Sequence, residues 1–136
     1  MATMVFVNLP VKDLGKATAF YGALGFVQNA QFSDQNASSF AISDTIHLMV
    51  LVEPFFKTFT KKEIADATRT TEAIVCLTAE SREGVDELVE KAFAAGAKKS
   101  NDTMDEGWMY GRSFQDPDGH LWEVVYMDMT AMPAQA

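Results

Sequence analysis

Apolar side chains alternate with others along the start of the chain. Val5, Val7 and Leu9 recur at every second position, as the side chains on one face of a β-strand do. Phe6 and Asn8 fall on the opposite face. The pattern predicts a β-strand over residues 4–11.

A helix and three short strands are predicted next. Apolar side chains recur at helical spacing after Asp13, whose carboxylate can cap the first turn, and they stop at Gly25, which can adopt the left-handed conformation that ends a helix. Short apolar segments separated by Asp, Asn and Ser then predict strands at residues 26–31, 38–43 and 45–52.

The second half of the chain repeats this order of elements. A strand is predicted at residues 73–78, followed by a helix that Ser81 caps and Gly96 ends. The sequence Asp-Pro-Asp-Gly at residues 116–119 is typical of a tight turn. It separates the last two of three further strands, predicted at about residues 98–100, 108–115 and 120–127.

A shift of 68 residues, half of the 136-residue chain, superimposes the first strand of one half on that of the other. The sequence therefore predicts two βαβββ modules of an α+β fold, within a single domain over residues 1–136. Module one covers about residues 1–52, module two about residues 72–128, and a frayed tail residues 129–136. The intervening segment 53–71 is a linker or a lid: its phenylalanines either cap the core or cover a pocket. These are Phe55, Phe56 and Phe59.

Composition narrows the range of functions. Apolar residues make up 48% of the chain, which is typical of one globular domain, and 11 basic against 19 acidic residues give a net charge of −8. This charge disfavours nucleic-acid binding, and no apolar run is long enough for a membrane span or resembles a signal peptide. Cys76 is the single cysteine, so an intramolecular disulfide is excluded and a cytoplasmic location is expected.

Two stretches resemble the vicinal oxygen chelate superfamily, which includes glyoxalase I, bleomycin-resistance proteins and extradiol dioxygenases. They are residues 6–26, FVNLPVKDLGKATAFYGALGF, and residues 111–124, GRSFQDPDGHLWEV. The resemblance implies that the two modules form a curled mixed β-sheet around a pocket, with the helices on the outer face. It also implies a homodimer.

In metal-dependent members of this superfamily, four inward positions carry His, Gln or Glu and hold a divalent ion. Matched to this chain, the four positions fall on Phe6, His47, Ile74 and Glu123. The phenyl ring of Phe6 and the aliphatic chain of Ile74 have no lone pairs to donate to a metal. We therefore expect no metal cofactor, and if a metal binds, we expect His47 and Glu123 to be its ligands.

The first functional hypothesis is a protein that binds a small organic molecule in an apolar pocket. Within that pocket, His47 and Glu123 are the candidate catalytic residues because both are ionisable; alternatively they form a polar pair that satisfies itself. The resemblance places eight residues in the pocket: Phe6, Asn8, His47, Met49, Ile74, Cys76, Glu123 and Val125.

Two other hypotheses stay open. In one, the protein is a divalent-metal-dependent lyase, isomerase or dioxygenase that uses His47 and Glu123 with substituted ligands such as Asn8, Glu72 or His120. In the other, it is a structural or partner-binding module.

One predicted strand of module two carries a further candidate for a binding site. Trp108, Tyr110 and Arg112 alternate along it and therefore share a face. They would either stack on an anionic ligand or face the outer helices or a dimer partner.

Overall fold

The computed structural model describes residues 2–133. The chain divides into two compact units, residues 1–66 and residues 67–136, and each is described by itself. Each unit has one β-sheet with a helix packed on one face. The predicted α+β fold with mixed sheets is confirmed.

Unit one contains a four-stranded sheet in the order β1-β4-β3-β2. β1 runs parallel to β4, and the other neighbouring strands are antiparallel. The elements are β1 (Val5–Val11), α1 (Leu14–Ala23), β2 (Val27–Asn29), β3 (Ala37–Ala41), β4 (Ile46–Val52) and α2 (Glu53–Lys57).

The core of unit one lies between α1 and its sheet. Phe20 and Tyr21 on α1 are buried, as are Phe40, Leu48 and Val50 on β3 and β4. Alternation along the strands explains this, because the helix covers only every second side chain. The N-cap was predicted correctly: a carboxylate oxygen of Asp13 accepts a hydrogen bond from the backbone N–H of Lys16 at 3.0 Å.

One prediction in unit one needs correction, and the segment predicted as a linker or lid contains a short helix. The strand predicted at residues 26–31 ends at Asn29, whose side chain accepts a hydrogen bond from the N–H of Gln31 and starts the 3₁₀ turn Ala30–Phe32. The segment 53–71 begins with α2, where Pro54 occupies the first turn. Proline is tolerated there because its missing N–H would have no partner within the helix.

Unit two contains a five-stranded sheet in the order β5-β9-β8-β6, with β7 also beside β8. β5 runs parallel to β9, as β1 runs parallel to β4. The elements are β5 (Ile74–Thr78), α3 (Arg82–Ala94), β6 (Lys98–Lys99), β7 (Met104–Asp105), β8 (Met109–Gln115) and β9 (Leu121–Met127). The two-residue strand β7 was not predicted, because Met104 is the single apolar residue among residues 100–107 and no alternation is visible there.

The helix α3 covers one face of this sheet. Its Val85, Val89 and Ala92 are buried, as are Trp122 and Val124 on β9. The predicted cap is confirmed by the hydroxyl of Ser81, which accepts a hydrogen bond from the N–H of Gly84 at 2.9 Å.

The predicted turn between β8 and β9 is present. The buried carboxylate of Asp116 accepts hydrogen bonds from the N–H groups of Asp118 and His120, at 3.0 and 2.8 Å. Gly119 has a φ of 94°, and a Cβ there would stand 2.7 Å from the carbonyl oxygen of Ala67. Glycine is therefore required at this position.

The predicted tail, residues 129–136, lies partly outside the described residues, which end at 133. At its start, the carboxylate of Asp128 accepts hydrogen bonds from the N–H and hydroxyl of Thr130. Among the described residues, every helix is too short or too polar to cross a membrane.

Candidate functional site

The candidate site residues lie on the sheet faces that point away from α1 and α3. We call each of these an open face. In unit one, Phe6 pairs with His47 and Asn8 pairs with Met49 across β1 and β4, whereas the buried Leu48 points to the opposite side. The sheet thus brings together the four predicted pocket residues of module one.

The ring of Phe6 stacks on the imidazole of His47. The ring centroids are 4.7 Å apart and the planes are inclined by 13°. His47 and Asn8 also contact the backbone of residues close to them in sequence. His47 Nε2 lies 3.4 Å from the carbonyl oxygen of Asp44, and the side-chain amide of Asn8 donates to the carbonyl oxygen of Phe6 at 3.1 Å. One face of the imidazole is therefore occupied by hydrocarbon.

In unit two, Glu123 lies in the middle of the open face. Its partner on β5 is Cys76, and its partner on β8 is Ser113. Ile74 and Val125 lie two positions away from this row and share its face. The four predicted pocket residues of module two are therefore also neighbours on one surface. Whether the two sets of four form one pocket stays a prediction.

The thiol of Cys76 is affected by this neighbourhood. Desolvation by the surrounding sheet raises the pKa of Cys76 above its ordinary value, and the negative charge of Glu123 raises this pKa further. Both effects hold the thiol in its neutral, less nucleophilic form. Cys76 is therefore unsuited to act as a nucleophile at neutral pH.

A cavity of about 270 Å³ lies on this face beside Glu123. This volume is just below the usual range for ligand pockets, about 300–1,000 Å³. A smaller cavity of about 50 Å³, which Met104 and Val125 help to line, adjoins Glu123 as well. Both apolar and polar residues line the larger cavity: Ile74, Leu121, Trp122, Ser100, Asn101, Ser113 and Glu123.

The predicted lid residues lie on and just after α2. Phe55 and Phe56 are half-buried, and Phe59 is 70% exposed. The rings of Phe55 and Phe59 meet edge to face, with centroids 5.2 Å apart. Their role as a lid stays a prediction.

The chain does not fit a four-ligand divalent-metal centre. Two of the four positions are carbon side chains, Phe6 and Ile74, and they supply no donor atom. Among residues 2–133, no three His, Cys, Asp or Glu side chains are grouped so that they could hold a metal ion. Of the substitutes considered, Glu72 is exposed ahead of β5, and His120 follows the turn before β9.

Tyr110 and Arg112 lie on the helix-covered face of the sheet, in agreement with one of their two predicted placements. The Tyr110 hydroxyl donates to the carboxylate of Asp86 on α3 at 2.6 Å, and Arg112 donates to the same oxygen at 2.9 Å. Arg112 also lies 3.5 Å from Glu90. These groups join α3 to β8 and leave no role for Tyr110 and Arg112 on the open face.

The same cluster continues along α3. The guanidinium of Arg82 lies 4.4 Å from the centre of the Tyr110 ring and forms an ion pair with Asp105 on β7. Hydrogen bonds from Tyr110 and Arg112 lower the pKa of Asp86, and the bond to Asp86 raises the pKa of Tyr110. The cluster was not predicted, because its hydrogen bonds and ion pairs join residues of α3 to strand residues more than twenty positions later in the sequence.

The model of the Glyoxalase/Bleomycin resistance protein/Dioxygenase superfamily matches residues 3–124. No curated protein sequence matches the chain.

Solved structures of similar fold span almost the whole chain. The hypothetical protein SA1046 from S. aureus is 28% identical, with a TM-score of 0.77 over 93% of this chain and 94% of that one. A glyoxalase-related enzyme from Fulvimarina pelagi is 18% identical, with a TM-score of 0.78 over 100% and 94%. The fosfomycin resistance protein FosX from Listeria monocytogenes is 21% identical, with a TM-score of 0.68 over 96% and 97%.

Proposed function

The chain belongs to the Glyoxalase/Bleomycin resistance protein/Dioxygenase superfamily, and from this membership we propose that it binds a small organic molecule on its open faces. In this proposal, binding does not depend on a four-ligand divalent-metal centre. Apolar side chains supply most of the contact, and the few polar groups orient the ligand.

The observation that carries this proposal is the exposure of two large apolar side chains at the metal-ligand positions. Phe6 is 50% exposed and Ile74 is 52% exposed, each near the start of the first strand of its unit. Exposed apolar area costs roughly 25 cal/mol per Å², so an apolar ligand that covers these side chains would gain free energy.

The cavity beside Glu123 supports the same proposal. It places Ile74 and Leu121 on the same face as a few polar side chains, the combination that is typical of a small-molecule site.

A binding titration tests this function. Naphthylmethanol, a neutral aromatic probe, would be titrated into the protein while its fluorescence is recorded. We expect Ile74→Glu and Phe6→Glu to weaken binding, because each places a charge against the probe. Val5→Glu is the matched control: Val5 is also 52% exposed but lies on the other face of its sheet. If the unmodified protein and the three variants bound the probe with equal affinity, the proposal would be overturned.

Metal analysis of the purified protein tests the competing enzyme hypothesis. A stoichiometric divalent ion that is lost in His47→Ala would favour a metal-dependent lyase, isomerase or dioxygenase. If the melting temperature does not change when divalent ions are added, the metal-free proposal is supported, since a ligand that prefers the native state must raise its stability.

We also propose that the protein is a homodimer and that it acts in the cytoplasm. Its family resemblance supports the first statement, and its single cysteine supports the second. Light scattering coupled to size exclusion would give the mass in solution, and cell fractionation would give the location. A monomeric mass would contradict the homodimer, and an exported protein would contradict the cytoplasmic location.

A further inference from the structure

We propose that Glu123 selects ligands that carry an amine, which would be bound as an ammonium group against an otherwise apolar wall. This inference rests on the proposed function and names the class of molecule that the site in unit two accepts. It assigns a specificity-determining role to Glu123 that requires no metal.

Among the described side chains, none donates a hydrogen bond to the carboxylate of Glu123 or forms an ion pair with it; its electrostatic neighbour is the neutral thiol of Cys76. Glu123 is half-buried on the central strand pair of the open face. A partly desolvated carboxylate with unused acceptor oxygens gains free energy when a charged donor reaches it.

The basic side chains of this sheet are placed elsewhere. Arg112 is directed to the opposite face, where α3 supplies its carboxylate partners. Lys99 forms an ion pair with Asp102 at 3.0 Å. Lys98 is on the edge strand β6, two strands from the β9 strand that carries Glu123. These three basic side chains of the sheet are therefore not paired with Glu123, and its carboxylate is available to a cationic group of a ligand.

The surface around the carboxylate is partly apolar. Ile74 and Leu121, which are neighbours across β5 and β9, both line the cavity. Next to Glu123, the hydroxyl of Ser113 is already bonded to the backbone of Asn101, at 2.8 Å to its N–H and 3.3 Å to its carbonyl oxygen. Glu123 is thus the strongest free acceptor at this cavity. The arrangement fits an amphipathic amine: an apolar body on Ile74 and Leu121, and an N–H donor on Glu123.

Charge distinguishes an amine from a neutral analogue of the same shape. With a net charge of −8, the protein also attracts cations at long range, but this attraction is shared by the whole surface and is screened by salt. If Glu123 has a local role, the preference for the amine over the neutral analogue must depend on this one carboxylate.

The experiment uses two probes of nearly equal shape, naphthylmethylamine and naphthylmethanol. Their dissociation constants would be measured calorimetrically at neutral pH with the unmodified protein and with Glu123→Gln. We expect the amine to bind about tenfold more tightly than the alcohol, since a charge-assisted hydrogen bond is roughly twice as strong as a neutral one. Glu123→Gln should remove this preference and change the affinity for the alcohol by less than about twofold.

Asp102→Asn is the matched control. It also removes a carboxylate from the edge of this open face, but that carboxylate is exposed and paired with Lys99. We expect the preference for the amine to survive in this variant. An equal loss in Asp102→Asn and Glu123→Gln would show that the effect comes from net charge and would overturn the inference.

The outcomes separate the two proposals. If both probes bind with equal affinity, and Ile74→Glu weakens binding of the alcohol, the small-molecule function stands and the selection of amines is wrong. If neither probe binds, or if Ile74→Glu leaves the affinity for the alcohol unchanged, the proposed function itself is overturned for this face.

Discussion

The imidazole of His47 lies flat against the ring of Phe6, 4.7 Å from centroid to centroid. His47 falls on one of the positions that hold a metal ligand in metal-dependent members of the superfamily. In this chain its imidazole packs against the phenyl ring of Phe6. The contact joins the two strands that pair in parallel, β1 and β4. It lies on a surface that the helix α1 does not cover.

Truncating Phe6 should therefore cost little stability. We expect Phe6→Ala to lower the free energy of unfolding by less than about 1.5 kcal/mol, the worth of an aromatic pair. Phe40→Ala, at a fully buried position of the same sheet, should cost about 3–5 kcal/mol. Urea denaturation of both variants measures the difference. Equal losses would mean that Phe6 belongs to the core and would weaken the binding proposal.

The cluster around Asp86 should give stability that depends on pH. The folded-state pKa of Asp86 is lowered, mainly by the hydrogen bond from Tyr110 and then by that from Arg112. Its contribution is present above the ordinary pKa of an aspartate and is lost as the pH falls through the lowered value. Unfolding by urea at a series of acidic pH values measures this loss. In Asp86→Asn this loss of stability at acidic pH should be smaller.

Tyr110 should show the opposite behaviour in alkali. Its folded-state pKa is raised, mainly by the bond to Asp86, so its contribution is present below the ordinary tyrosine pKa and is lost as the pH rises through the raised value. Tyr110→Phe should flatten the alkaline limb of the stability profile. Ultraviolet titration of the phenol provides an independent measurement, and an ordinary pKa for Tyr110 would contradict the observed contact.

The reactivity of Cys76 should report on its neighbour Glu123. Desolvation is the main cause of the raised thiol pKa and the charge of Glu123 is the second, so Glu123→Gln should lower this pKa in part. At mildly alkaline pH the thiolate fraction then rises, and alkylation by iodoacetamide becomes faster. Mass spectrometry of timed samples gives the rate. The rate in Asp102→Asn should match that of the unmodified protein; a rise there as well would point to a general charge effect.

A pair of glycine substitutions tests the turn between β8 and β9. Gly119→Ala should destabilise the protein by about 1–3 kcal/mol, because the residue has positive φ and an added Cβ meets the backbone of Ala67. Gly22→Ala is the control: it lies in α1 with open space around it, and alanine there should be neutral or stabilise by up to about 1 kcal/mol. Thermal melting of both variants measures the contrast, and a neutral Gly119→Ala would refute the close approach.

Most of the fold could be predicted from the sequence because its signals are local. Alternation in β1 predicted which side chains share a face, and the register of β1 with β4 agrees. The caps Asp13 and Ser81 were predicted from residue type alone. By contrast, β7 and α2 are two and five residues long, too short to show a period.

The site could be predicted only in part. The family resemblance placed Glu123 and Cys76 in one pocket, and the register of β5 with β9 brings them side by side on one face. The sequence could not reveal that Asp86 would meet Arg112, because those residues are 26 positions apart and join only after α3 packs on the sheet. The absence of a partner for Glu123 also became visible only once the contacts of the described side chains were known.

Each sheet joins its first strand in parallel to its last, β1 to β4 and β5 to β9. Among the described residues, each strand ladder is completed within one half of the chain. Tandem duplication of a gene that encoded one such half would produce both sheets without requiring any new strand pairing except that of β7 with β8, which unit one does not share. The two copies could then diverge separately, and in this chain each has hydrocarbon at one of the positions where related proteins carry metal ligands, Phe6 in the first copy and Ile74 in the second.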